Sequence, residues 1–103
     1  MSTPTNSVTF SSIEVSDLIN YLRLVEVSQA DQNLLETILD AAKSHILTYT
    51  GQTAASADSF PEFTIAVYVL AESMFDVRSY LVDTEKANKV VDAILGSRSI
   101  NLL

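Results

Sequence analysis

His45 is the single imidazole of the chain, and there is no cysteine, so a metal centre or a nucleophilic relay would have to be built around that one ring. A Ser-His-Asp relay needs a base within hydrogen-bond reach of an activated hydroxyl, and nothing around His45 in the sequence marks such a nucleophile. The plain reading is a histidine at the boundary of a helix. Glu72 and Asp76 stand at helical spacing, one above the other, and Asp83 continues the row. Paired carboxylates can share a proton or hold a divalent ion. A di-metal bundle also carries a Glu-x-x-His pair, which is absent here, so a solvated acidic face is the expectation. Gly51 and Gly96 are the only glycines, too few for a phosphate-cradling loop of the Walker or Rossmann type. Tyr21, Tyr49, Phe63, Tyr68, Phe75 and Tyr80 recur at helical intervals, the pattern of core packing rather than of a cofactor box. No catalytic, cofactor-binding or metal-ligating set emerges, and the expectation is a protein that is not an enzyme and acts by contact.

The residues best suited to contact lie at the C-terminal end. Lys86, Lys89 and Arg98 form the one local concentration of positive charge, beside the apolar Ile100, Leu102 and Leu103. Residues 1–83 carry 11 acidic and 3 basic side chains, whereas residues 84–103 carry 2 and 3. An acidic body is a poor ligand for phosphate, because affinity for nucleic acid comes largely from Lys and Arg displacing counterions. It is a suitable wall for a channel through which a polyanion slides, since weak or repulsive walls do not hold it. The basic, apolar end reads either as a solvated face or as a surface for an acidic neighbour. On the second reading, residues 96–103 are expected to be a docking tail, and Lys86, Lys89, Arg98, Ile100, Leu102 and Leu103 the candidate interface.

The elements that must position these residues follow from periodicity. A chain of 103 residues is one domain, with a large share of its surface left exposed. Residues 1–7 are polar and expected to be mobile, and Val8-Thr9-Phe10 suggests a short extended piece. A first helix begins near Val15, capped by Glu14 or by Ser11 and Ser12, places Val15, Leu18, Ile19 and Leu22 on one face, and ends around Arg23. Ser28 stands three residues before Asp31, close to a capping box. A long helix then runs from about Gln29 to Tyr49 with Leu35, Ile38, Leu39, Ala42, Ile46 and Tyr49 as its apolar stripe, and Gly51 stops it. Opposite that stripe, Glu36, Asp40 and Lys43 are spaced for surface charge pairing. Residues 52–60 read as the one long loop, and Pro61 suits the first turn of the next helix. That helix is expected from Pro61 to Tyr80 or Leu81, with Phe63, Ala66, Val67, Leu70, Met74 and Val77 on one side and Ile65, Val69, Phe75 and Tyr80 on others. A helix apolar on several sides is central or shared with a neighbour. The last helix runs from about Glu85 to Leu95 with Ala87, Val90, Val91, Ile94 and Leu95 as its stripe. The fold class is all-α, a small four-helix domain with two long and two shorter helices. No apolar run approaches the ~18 residues that span a bilayer and no signal peptide opens the chain, so the expectation is a soluble, intracellular protein without membrane contact.

The order of these pieces, a short amphipathic helix in residues 13–23, a polar break, the long Leu34-Leu35-Glu36-Thr37-Ile38-Leu39-Asp40-Ala41-Ala42 helix, Tyr49-Thr50-Gly51 and two further helices, resembles the head-tail connector (adaptor) family of tailed bacteriophages. The resemblance covers roughly residues 10–103. Val25 departs from it, standing where the family often has an acidic residue. The resemblance implies a body of two long helices with shorter ones at its ends, and a long loop, here residues 52–60, reaching toward adjacent components. It further implies a structural subunit of the virion, present in the host cytoplasm during assembly. The portal protein and the stopper or tail-completion proteins would be its partners, and about twelve copies would close by rotation into a ring. DNA would cross the lumen without specific binding. A small regulatory protein whose first two helices form a helix-turn-helix is the alternative, opposed by the acidic would-be recognition helix with Asp31, Glu36 and Asp40 against Lys43.

A docking tail that takes no part in the core can be removed without unfolding the domain. Deleting residues 99–103 is expected to weaken assembly far more than it lowers the melting temperature, as read from thermal unfolding beside incorporation into portal complexes. A truncated chain that assembles normally, or one that cannot fold, would show that the tail is not the docking element.

Overall fold

A computed structural model of the chain describes residues 8–77 and 84–95. The protein is all-α. After a 3-10 turn at Phe10–Ser12 come α1 (Val15–Leu22), α2 (Gln29–Thr50), α3 (Ala54–Ala57), α4 (Pro61–Asp76) and α5 (Thr84–Leu95). Four of these are substantial helices, as the periodicity predicts, and α3 is a single turn. No strand occurs among the described residues, and none of their helices is long and apolar enough to cross a membrane.

Each boundary has a local cause. Asp17 accepts the Glu14 N–H at 2.8 Å to open α1. The helix closes on Arg23, which adopts a left-handed conformation at φ 60° and ψ 39°, while the Leu24 N–H reaches back to the Ile19 carbonyl at 3.2 Å. That closure satisfies end carbonyls at the cost of placing a side chain where glycine is usual. The Ser28 hydroxyl accepts the Asp31 N–H at 3.1 Å to start α2, and Gly51 at φ 78° ends it, its N–H donating to the Leu47 carbonyl. Pro61 is the first residue of α4, where its missing N–H costs nothing.

The stripe of α2 is buried as expected at Leu35, Ile38, Leu39, Ala42 and Ile46, and its most extensive packing is against α4. The apolar helix α4 is the central element. It buries Phe63, Ala66, Val67, Leu70, Ala71 and Met74 while lying against α1, α2, α5 and the 3-10 turn. The amphipathic α5 covers it with Ala87, Val91 and Leu95.

Four expectations are corrected. The extended piece expected at Val8-Thr9-Phe10 does not reach Phe10: Thr9 is extended, at φ −109° and ψ 173°, and the chain turns directly after it. The Ser12 hydroxyl accepts the Thr9 N–H at 2.8 Å, and Phe10 enters the core edge-on to Phe63 at 6.2 Å. Residues 52–60 are not a loop reaching outward. Thr53 caps α3 by accepting the Ser56 N–H, Ala57 is buried, and the two Asp58 carboxylate oxygens accept the Ser11 N–H and hydroxyl at 2.8 and 2.9 Å, clasping α3 to the 3-10 turn. Lys43 does not serve surface pairing with Glu36 and Asp40. Its ammonium spans to the Ile13 and Ser11 carbonyls at 2.9 and 3.4 Å and fixes the entry to α1. Finally, α4 stops at Asp76, and Val77 is already extended at φ −126° and ψ 96°. The remainder of that expected helix, Arg78 to Leu81, lies outside the described residues, as do residues 1–7.

Ile38 is fully buried in the α2–α4 interface, where a carboxylate would have neither water nor a partner. Replacing it by Asp is expected to cost about 4 kcal/mol or more, a large part of the stability of a domain this size. Circular dichroism should show little residual helix, and unchanged helicity and melting in Ile38→Asp would refute the packing of that face.

Candidate interaction surface

Two polar-aromatic seams join the helices at the rim of the core. The first lies between α1 and α4. The Tyr21 and Tyr68 rings stack at 4.8 Å between centroids with 13° between planes, and the Tyr21 hydroxyl donates to Glu72 Oε1 at 3.4 Å. Burial, reinforced by the Glu72 charge and hydrogen bond, raises the Tyr21 phenol above its ordinary value. Burial, then the Asp17 charge, does the same for Tyr68. Positions 65, 68 and 72 of α4 share a face at steps of three and four, so Ile65, 53% exposed, borders the stack. The periodic aromatic pattern alone suggests core packing for Tyr21, yet 41% of it remains exposed. Which of two stacked rings faces solvent depends on how two helices meet, and no local signal in the sequence carries that.

The second seam lies between α2 and α5. The Tyr49 hydroxyl reaches both carboxylate oxygens of Asp92 at 2.8 Å, and the His45 ring lies parallel to Tyr49 at 6.0 Å. One turn earlier on each helix, His45 Nε2 and Asn88 Oδ1 are buried atoms without a hydrogen-bond partner among the described residues. The Asp92 hydrogen bond, then burial, raises the Tyr49 phenol above its ordinary value. His45 is thus a half-buried boundary residue on α2, as its sequence setting predicts.

Of the residues singled out as an interface, Lys86 and Lys89 are exposed on α5, facing away from the Ala87, Val91 and Leu95 stripe. Arg98, Ile100, Leu102 and Leu103 lie outside the described residues. Glu72 belongs to the α1–α4 seam, Asp76 is exposed at the end of α4, and Asp83 falls outside the described residues. Among the described residues, no three carboxylate or imidazole side chains gather as a metal ion would need. The surface has rings, apolar side chains and fixed charges to offer a partner.

The chain matches no family model, no curated protein and no solved structure.

The raised Tyr49 phenol has a definite consequence for pH dependence. A group whose folded pKa lies above its unfolded value of 10.0 contributes stability that is complete below pH 10 and is lost as the pH rises through the folded value. Tyr49→Phe is therefore expected to melt below the wild type at pH 7. The gap should close above pH 10, because only the wild type acquires a phenolate facing Asp92. Urea midpoints for both proteins between pH 7 and 11.5 test this, and a gap constant across that range would show that the Tyr49–Asp92 bond does not hold α5 to α2.

Proposed function

We propose that this protein is a structural adaptor subunit of the head-tail junction of a tailed bacteriophage. It would be one of about a dozen copies closed by rotation into a ring that joins the portal protein to stopper or tail-completion proteins and lets DNA pass. The observation that carries this reading is the arrangement of the body. A short helix, a tight turn at Arg23 and a 22-residue helix stopped at Gly51 pack on a central 16-residue helix, the order and proportion expected of that family. The domain is also a slab, with extents of 43 × 39 × 18 Å. Flat subunits set side by side bury broad faces and leave narrow edges for the partners above and below.

The mechanism is assembly. Apolar side chains already stand in solvent at Val25, Ile65 and Val77, which are 93%, 53% and 45% exposed. Burying them against neighbours contributes about 25 cal/mol per Å², of which the cost of association leaves only part. A subunit balanced in this way stays monomeric in isolation and joins a ring when a template holds its neighbours in place. The net charge of −7 repels the DNA that crosses the lumen rather than binding it. A helix-turn-helix reading finds less support, because Lys43, the one cation on α2, is engaged by the Ile13 and Ser11 carbonyls.

Light scattering tests the proposal. Alone, the protein is expected at its monomer mass of 11.2 kDa. With the portal of its own virus, it should form a complex of defined stoichiometry. Duplex DNA should not bind at physiological salt. Failure to join the portal together with sub-micromolar, salt-steep binding of duplex would replace the adaptor reading with a regulatory one.

A further inference from the structure

From the α1–α4 seam we infer a docking site for an arginine-bearing segment of a partner protein, seated on the stacked Tyr21–Tyr68 pair between the Asp17 and Glu72 carboxylates. The inference does not rest on the adaptor reading and would hold for a domain of any function.

Three features of the seam select that occupant. The first is the ring surface. Tyr21 lies with one face on Tyr68, which holds the ring in place, and leaves 41% of its surface in solvent. A guanidinium laid on the exposed part of the ring gains both stacking and attraction to the ring quadrupole. The second is charge. Asp17 lies close enough to raise the Tyr68 phenol, and Glu72 accepts from Tyr21 at 3.4 Å, yet no cation pairs with either carboxylate among the described residues. Glu72 has acceptor capacity beyond that one long bond, enough for the planar fork of an arginine. A phosphate or a nucleic acid meets only repulsion there. The third is Ile65, more than half exposed on the same face of α4, which offers apolar contact to the chain that carries the arginine. A free small cation would leave that side chain uncovered, so a polypeptide segment fits better. A second copy of this chain is disfavoured at this seam, because the cations it groups on one exposed face, Lys86 and Lys89, are lysines and lack the planar fork that stacks on a ring.

The test is a titration of the isotope-labelled protein, followed by amide NMR shifts, with a helical alanine-rich peptide carrying two arginines one turn apart. The same peptide with glutamine in their place serves as the neutral probe. Saturable shifts are expected at Tyr21, Tyr68 and Glu72 with the arginine peptide, and at least tenfold weaker binding with the glutamine one. Glu72→Gln and Tyr21→Leu, both at positions outside the core, should each weaken binding about tenfold. Asp40→Asn removes an equal charge from the exposed face of α2 and should stay within twofold. Any of these results would overturn the inference: no binding up to millimolar peptide, equal binding of the glutamine peptide, equal loss in Asp40→Asn, or shifts centred on another face. Shifts at the seam that follow protein concentration without peptide would also overturn it, because a second copy would then be the occupant.

Discussion

The burial of α4 is the constraint on which the other elements depend. Phe63, Ala66, Val67, Leu70, Ala71 and Met74 occupy more than one side of a single helix, and no lone neighbour can cover them. The helix therefore needs α2 on one side, α5 on another, and α1 with the 3-10 turn over the rest. Ala66 and Ala71 are fully buried small side chains, while Phe63 packs edge-on to Phe10. None of the surrounding helices has a core of its own, because each is apolar along one stripe only. The domain is a shell folded around one rod, and its cooperativity follows from that sharing.

Hydrogen bonds between residues distant in the sequence then set the orientation of the shell. Asp58 clasps Ser11 across 47 residues of sequence, Lys43 spans 30 residues to the Ile13 carbonyl, Tyr49 ties α2 to α5 through Asp92, and Tyr21 ties α1 to α4 through Glu72. All four lie toward the rim. Apolar burial is non-directional and tolerates sliding of one helix along another, whereas a hydrogen bond has a preferred distance and angle. The core accounts for most of the stability, and these rim contacts select one arrangement from the several that would bury the same stripes.

This division explains which features the sequence reveals. The helices α2 and α5 are legible because their stripes repeat over three or more turns, and Ser28 and Gly51 bound α2, as Pro61 opens α4, through local backbone chemistry. The end of α4 is not, since Val77, Tyr80 and Leu81 continue the apolar pattern beyond Asp76 with no glycine or proline to break it. One turn of helix shows no period, so α3 was hidden among Ala, Ser and Thr. Phe10 read as part of an extended piece because the partner of its neighbour Ser11 is Asp58, far along the chain. Lys43 misled for a similar reason: helical spacing places it beside Asp40, and only the packed structure shows two bare carbonyls at the mouth of α1 within reach of its long side chain. The candidate surface was least legible of all. Tyr21 and Tyr68 belong to separate helices, and whether a ring at such a boundary is core or surface depends on a crossing that neither helix encodes alone.

The charge of the body sets what kind of assembly the protein can enter. With 13 acidic and 6 basic side chains, two copies brought face to face repel unless each contact pairs a carboxylate with a cation. Among the cations, Lys43 is held by backbone carbonyls, and Lys86 and Lys89 stand together on α5. On the adaptor proposal, the α5 side of one copy would face an acidic side of the next around the ring. Head-to-tail contacts close into rings when the rotation per step divides the circle and otherwise run on into filaments. On that proposal a template would set the rotation, and screening by physiological salt over ~8 Å keeps exposed charge pairs weak until apolar surface is brought together as well.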